Sequence, residues 1–326
     1  MGNWVLRASV CYDMGSLRKN NEDSYYFNGQ YPTLATMDSG TFLTSETNAD
    51  GSMWAVCDGM GGQSNGEVAS YTAVSGMREL QNHLRGRDFE SVVQSWVHQA
   101  NQAVNEQAGG GGSTLALLYC TDQYLQTAHV GDSRIYRYHK GELIRITKDH
   151  SKVEMLLDSK MITPEEALHH PQKNVVTRYL GMNSEYICDA TIGKKIPLCN
   201  GDRYLICSDG ITDMLTDPEI EQLVKDYENV SDCAEKIKEA VIKAGARDNL
   251  TVIVLEPYAL DVLDVIPNEE EYYDDDEDDE PTIEEEGEGT VSIRKDGNQM
   301  NIRIRKPFKG ELILHGPPSK VSLSFN

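Results

Sequence analysis

Five acidic points punctuate the first 250 residues: Glu22-Asp23 in RKNNED, Asp58-Gly59 in AVCDGMGG, Asp132 in HVGDSR, Asp209-Gly210 in LICSDGITD and Asp248-Asn249 in ARDNLT. Each follows an apolar run or a basic lead-in. A carboxylate placed where an apolar strand ends is held on a rigid element and still reaches solvent. Several such carboxylates together form a hard, all-oxygen cage of the kind that Mg²⁺ and Mn²⁺ select. Asp and Gly also favour turns, and one such point alone reads as a turn. Five in series favour a metal cluster, provided that the fold brings them to one place.

The elements that must do so are legible in outline. Residues 53–58, 113–121, 124–130, 134–139, 143–147, 203–208 and 251–255 have the length and the branched or aromatic content of strands. Helical patterns cover about 66–84, 88–108, 217–225 and 231–244. Between 113 and 147 the strands follow one another through loops too short for crossover helices, so most pairing there is antiparallel. The expected class is α+β: a central antiparallel β-sandwich flanked by α-helices. Gly109 to Gly112 reads as a tight internal loop before the strand GSTLALLY. The stretch 152–174 reads as an irregular helical flap, with TPEEAL from Thr163 as a helix start: Thr as cap, Pro in the first turn, two acids behind it. Such a flap either borders an active site or is a plain surface excursion.

Charge divides the 326 residues into three parts. The net charge of −23 resolves into −14 over residues 1–267, −14 over residues 268–289, which hold no base, and +5 over residues 290–326. The strand and helix pattern breaks after Pro257, so the expected domains are a folded region at 1–258, an acidic disordered linker at 259–289 and a small basic β-rich module at 290–326. In that last part short apolar alternations and the turn signal Asp296-Gly297 predict three or four amphipathic strands. Joined by a flexible tether, the basic strands are expected to dock on the acidic region or on an outside partner, or merely to extend a sheet. A chain this acidic lacks the basic footprint of a nucleic-acid reader. It has no run of the roughly 18 apolar residues that a membrane span needs, no signal-peptide pattern at its start, and Leu6 where a myristoylation signal wants Ser or Thr. Seven scattered cysteines without CxxC spacing fit a reducing compartment, so the expected location is cytoplasmic.

Read in order and spacing, RKNNEDS at 18–24, VCDGMGGQSNGEVAS at 56–70, GSTLALL at 112–118, HVGDSRIYRY at 129–138, TKDHS at 147–151, TRYLG at 177–181, CSDGITDML at 207–215 and ARDNLTVIVLE at 246–256 resemble the signature blocks of the metal-dependent serine/threonine protein phosphatases of type 2C, and of their bacterial members in particular. The blocks span nearly four-fifths of the chain. The resemblance implies a β-sandwich with helices on both faces and a dinuclear Mn²⁺ or Mg²⁺ centre at one end. It implies that Asp58 bridges the two ions, that the Gly59 carbonyl binds the second, and that Asp209 and Asp248 complete the first. Glu22 and Asp23 would hold metal-bound waters, Arg18 would grip the substrate phosphate, and Asp132, Asp209 and Asp213 match a third, weaker ion site of the bacterial members.

The implied reaction is hydrolysis of phosphoserine and phosphothreonine in proteins, by direct attack of a metal-bridging water or hydroxide. Its chemistry is self-consistent. Two cations about 3.5–4 Å apart neutralise a phosphomonoester dianion and lower the pKa of a shared water toward neutrality, so no Cys or Ser nucleophile is needed. The planar fork of Arg18 suits two phosphate oxygens. One departure concerns the proton. Animal members carry His after the DG pair, whereas this chain has Met60, which cannot donate one. His150, His169 and His170 are read as non-catalytic, and Gly61 and Gly62 as allowing close backbone approach. The implied partners are phosphoproteins and a serine/threonine kinase of the same cell. The competing readings are a catalytically silent phosphoprotein-binding regulatory module, which should lack metal acids, and a two-metal nuclease, whose polyanionic substrate the −14 region would repel.

Overall fold

A strand buried on both faces needs a partner layer on each side, and the apolar runs of this chain find two. In the computed structural model, which describes residues 3–61, 65–183, 185–260 and four strands at 291–296, 299–304, 310–316 and 319–325, two antiparallel sheets pack face to face between helical layers. The chain begins with strands β1 (Asn3–Asp13), β2 (Asp23–Phe27), β3 (Thr41–Asn48) and β4 (Met53–Met60), then helices α1 (Gly66–Ser75), α2 (Met77–Leu84) and α3 (Phe89–Ala108). Strands β5 (Gly112–Ser113), β6 (Leu115–Cys120), β7 (Tyr124–Val130), β8 (Arg134–His139) and β9 (Glu142–Arg145) come next, followed by α4 (Lys152–Asp158) and α5 (Pro164–Leu168). After β10 (Thr191–Ile192), β11 (Ile196–Pro197) and β12 (Arg203–Cys207) come α6 (Asp209–Thr212), α7 (Asp217–Asp226) and α8 (Val230–Ala244), and β13 (Leu250–Leu260) closes this part.

One sheet runs β3-β1-β13-β12-β8-β9 and the other β10-β7-β6-β4-β2, with β11 also on β7 and β5 on β4. Side-chain alternation builds three core layers from them. Along β4, Met53, Ala55 and Cys57 face α1–α3, whereas Trp54 and Val56 face the other sheet. Along β12, Tyr204 and Ile206 point between the sheets, whereas Leu205 and Cys207 pack toward α8 with Ile237 and Val241. The expected antiparallel sandwich with helices outside is what the chain adopts.

Several details differ from the sequence reading. The helix expected over 66–84 is interrupted at Gly76, where the Trp96 indole of α3 packs so close that a Cβ would lie 3.3 Å from its Nε1. The strand expected at 113–121 is split at Thr114, and β7 and β8 do not pair: the chain leaves one sheet for the other at residues 131–133. The Gly109–Gly112 segment is the tight loop expected, with Gly109 and Gly110 at φ 54° and 105°. In the flap, Thr163 and Glu166 form a reciprocal capping box at the start of α5.

The chain divides into two compact units, Met1–Val265 and Ile266–Asn326. In the second, β14 (Val291–Asp296) pairs with β15 (Gln299–Ile304) and β16 (Gly310–Gly316) with β17 (Ser319–Phe325), each pair antiparallel. The acidic stretch from residue 261 to 290 and the turn residue Gly297 lie outside the described residues.

Candidate metal centre

Sheet register gathers the five acidic points at one end of the sandwich. Asp23 opens β2 directly opposite Asp58 on β4. The Asp58 carbonyl accepts from Thr114 N–H at 2.8 Å, and the next residue, Leu115, faces Val130, two residues before Asp132. In the other sheet Cys207, two residues before Asp209, pairs with Val252 and with Arg134. Leu250, two residues after Asp248, pairs with Asp13. The two sheets are sewn together here by Ser208 Oγ and Thr251 Oγ1, which donate to the same Asp23 Oδ2 at 2.7 and 2.6 Å.

Beneath the acids the backbone is packed to contact. A Cβ on Gly59 would lie 2.2 Å from Gly66 O and 2.4 Å from Glu22 O, and one on Gly210 only 1.8 Å from Asn249 O. Only glycine fits at either position, which explains why the DG pairs at 58–59 and 209–210 are DG and not merely acidic. Asn249 is the buried strut of the site. Its Oδ1 accepts from Glu22 N–H at 2.8 Å, and its Nδ2 donates to Met14 O and Asn20 O at 2.9 and 3.0 Å. Thr114 is a second strut: its Oγ1 accepts from Asp58 N–H at 2.9 Å and lies 2.7 Å from Ser133 Oγ.

The carboxylates sit close enough to change one another's chemistry. Burial and the charges of Asp23, Asp209, Asp132 and Asp248 hold the Asp58 carboxyl well above the usual carboxylate range. Burial, then Asp248 and Asp213, push Asp209 up to about 6, against a hydrogen bond with Asp58 and the nearby Arg18 charge. Burial with the Asp209 charge pushes Asp132 up to about 8. Asp23, 1% exposed, is pushed up to about 7 by burial despite its two hydroxyl donors. Burial also raises Glu22, which Arg18 partly offsets. Among the described residues, two cationic side chains bond directly to these acids. Arg18 Nη2 donates to Asp248 Oδ2 at 2.6 Å with its Nη1 4.0 Å from Glu22 Oε2, and flap residue Lys173 donates to Asp213 Oδ1 at 3.0 Å.

Asp248 is bonded to Arg18, Asp213 to Lys173 and Asp23 to two hydroxyls, and among the described residues no three acidic, imidazole or thiol side chains close into a ready cage. What converges is a set of hard oxygen donors, short of positive charge, on strand ends that face one another. That donor chemistry fits Mn²⁺ or Mg²⁺, and nothing soft lies among it. Two cavities, of about 550 and 560 Å³, are not lined by these acids: one lies among α1, α2 and α3, the other within the flap itself, between α4 and α5.

Met60 ends β4 opposite Gly112. His150 is a structural residue of the strand-end turn, bonded to Gly131 through both main chain and ring. His170 turns its Nδ1 back to Gln172 N–H at 3.1 Å in the flap. Gly62 lies outside the described residues. Asn249, Thr114, Ser208 and Thr251 carry no local sequence signal for these roles, beyond the place of Asn249 beside Asp248 in ARDNLT.

Known proteins resemble this chain in sequence and in fold. The profile described as protein phosphatase 2C matches residues 41–244. The chain is similar to the serine/threonine protein phosphatase PstP of Mycobacterium tuberculosis, 33% identical over 258 residues, covering 77% of this chain and 45% of that protein. It therefore spans less than half the length of this relative. It is 31% identical over 261 residues to the serine/threonine phosphatase stp of Listeria welshimeri, covering 77% of this chain and 96% of that one. Among solved structures, the catalytic domain of PstP in complex with two manganese ions superposes with a TM-score of 0.64 at 31% identity, covering 78% of this chain and 99% of that domain.

Proposed function

Because the chain belongs to the protein phosphatase 2C family, we propose that it hydrolyses phosphoserine and phosphothreonine in proteins, with two Mn²⁺ or Mg²⁺ ions held at the strand-end acids. The observation that carries this reading is the arrival of Asp58, Asp209 and Asp248 at one end of the sandwich on a backbone so closely packed that the intervening DG glycines tolerate no side chain. Asp58 and the Gly59 carbonyl, with Asp209 and Asp248, are the residues that would hold the pair of ions, and Glu22 and Asp23 would order water around them. Bound there, the ions supply neutralising charge for the phosphoester dianion and acidify water.

The chain's own residues do the rest. Asn249 fixes the Glu22 main chain, and Thr114 fixes that of Asp58. Arg18 is 45% exposed at the mouth of the site, where its guanidinium can turn from Asp248 to two phosphate oxygens of a substrate. The buried Asp23, Ser208 and Thr251 keep the two sheets in register under the reacting atoms. Asp132, Asp209 and Asp213 would hold a third, weaker ion, and Asp213 is here paired with Lys173. The physiological substrates are phosphoproteins, and the counterpart enzyme is a serine/threonine kinase. A cytoplasmic location is part of the same reading, supported by seven cysteines that are all free, six of them buried.

The test is phosphate release from a phosphothreonine peptide by the full chain with added Mn²⁺, alongside Asp209→Asn and a single-stranded DNA substrate. Release that needs Mn²⁺ and Asp209, with intact DNA, is expected. Tight binding of the peptide without release by the wild-type chain would instead favour a silent recognition module.

A further inference from the structure

Asp132 sits on the short crossing between β7 and β8. Gly131 is left-handed at φ +100°, and a Cβ there would lie 2.7 Å from Thr114 Cγ2. Thr114 therefore braces the turn on one side. On the other side stands His150 of TKDHS, which no step of the proposed reaction uses. Its main-chain N–H donates to Gly131 O at 2.9 Å, and its ring Nδ1 accepts from Gly131 N–H at 3.1 Å. A main-chain amide can only donate, so Nδ1 carries no proton, and the ring's N–H is on Nε2, 2.9 Å from Thr191 Oγ1. The ring also stacks on His129 at 4.7 Å with 16° between planes, and the His150 carbonyl accepts from Thr177 N–H at 2.7 Å where the flap rejoins the domain.

We infer that His150 is a positioning residue: its unprotonated Nδ1 clamps the Gly131 amide and so sets the place of Asp132, and with it the affinity of the weakest metal ion. The inference rests on the assignment of Asp132 to a third ion. Burial, then the charges of His129 and Arg178, push the His150 ring down to about 3, so the acceptor persists across the range in which the protein is handled. Partners that orient a ligand from behind typically change metal affinity about 10- to 100-fold when lost.

The experiment compares Mn²⁺ binding to the metal-stripped full chain by calorimetry with the exchange rate of the Gly131 amide proton. The variants are Asp132→Asn, His150→Phe, which keeps the stacked ring but not the acceptor, and His150→Asn, whose Oδ1 can take the place of Nδ1. His150→Phe should weaken the last Mn²⁺ step about tenfold, leave the tighter steps unchanged and speed Gly131 exchange. His150→Asn should restore both. If His150→Phe does not fold, His150→Gln replaces it, since its longer amide reaches toward Thr191 and not Gly131. Wild-type binding and wild-type exchange in the acceptor-less variant would overturn the inference. If Asp132→Asn leaves every Mn²⁺ step unchanged, the third-ion assignment fails. The clamp is then judged by exchange alone: faster in the acceptor-less variant and restored by His150→Asn upholds it, and no change overturns it.

Discussion

Replacing Gly210 by alanine is the sharpest perturbation of the proposed site, because the added atom meets main chain and not a side chain that could swing away. The Cβ would sit 1.8 Å from Asn249 O, 3.0 Å from Asn249 C and 3.4 Å from Leu250 Cα, where real Cβ atoms keep at least 3.0 Å. Something must therefore move by about 1.2 Å. Asn249 is the harder side to displace, pinned by hydrogen bonds to Glu22, Met14 and Asn20. The displacement therefore falls on α6 and on Asp209, the residue before the substitution. Overpacking of this kind costs about 1–3 kcal/mol of stability. A misplacement of about 1 Å at a reacting centre costs on the order of 10²-fold in rate. We expect Gly210→Ala to remain folded in urea titrations with that loss, and to hydrolyse a phosphothreonine peptide at saturating Mn²⁺ at least about 100-fold more slowly. Gly40→Ala is the control, since its nearest neighbour would be 3.5 Å away, and it should lie within about 0.5 kcal/mol of the parent. A Gly210→Ala protein with parental stability and turnover within threefold would refute the claim that close main-chain approach positions Asp209.

Two further outcomes follow from the charges. Asp209, Asp23 and Asp132 have folded-state values raised from 3.8 to about 6, 7 and 8. An acid raised in this way favours folding while protonated and loses that contribution as pH rises through the raised value. Chelator-treated protein should therefore melt at lower temperature at pH 8.5 than at pH 5.5. Mn²⁺ should reverse the trend and release protons, read as a buffer-dependent binding enthalpy; a flat or rising melting temperature without metal would contradict this. Arg18→Ala should lower kcat/KM for the phosphopeptide about 10- to 100-fold, the range for a lost charge-assisted hydrogen-bond pair. Arg18→Lys should recover only part of it, and a value within twofold of the parent would remove Arg18 from phosphate binding.

What the sequence made legible, and what it hid, divides along physical lines. The acids were visible because DG and DN after apolar runs are local signals: a strand end, a turn and a carboxylate within a few residues. Strand β1 was not, because it lies between β13 and β3 and is buried along most of its length, which erases the alternation that marks a half-exposed strand. Strand β3, FLTSETN after Thr41, alternates half-buried with exposed residues but carries too little apolar content to announce itself, and it is a strand because β1 offers it an edge. The break at Gly76 depends on Trp96, twenty residues further along the chain. The supports of the site share that character. Ser208, Thr251, Thr114 and Asn249 are small polar residues whose type permits many roles, and their role is fixed by burial beside a carboxylate or main-chain group from a distant segment. Burial turns an ordinary hydrogen bond into one that is costly to leave unmade. The chemistry of this chain is thus written locally in its acids, whereas their precision resides in long-range contacts that no window of sequence contains. Substitutions at Asn249 or Thr114 should accordingly disturb the site as much as substitutions at a flanking acid do.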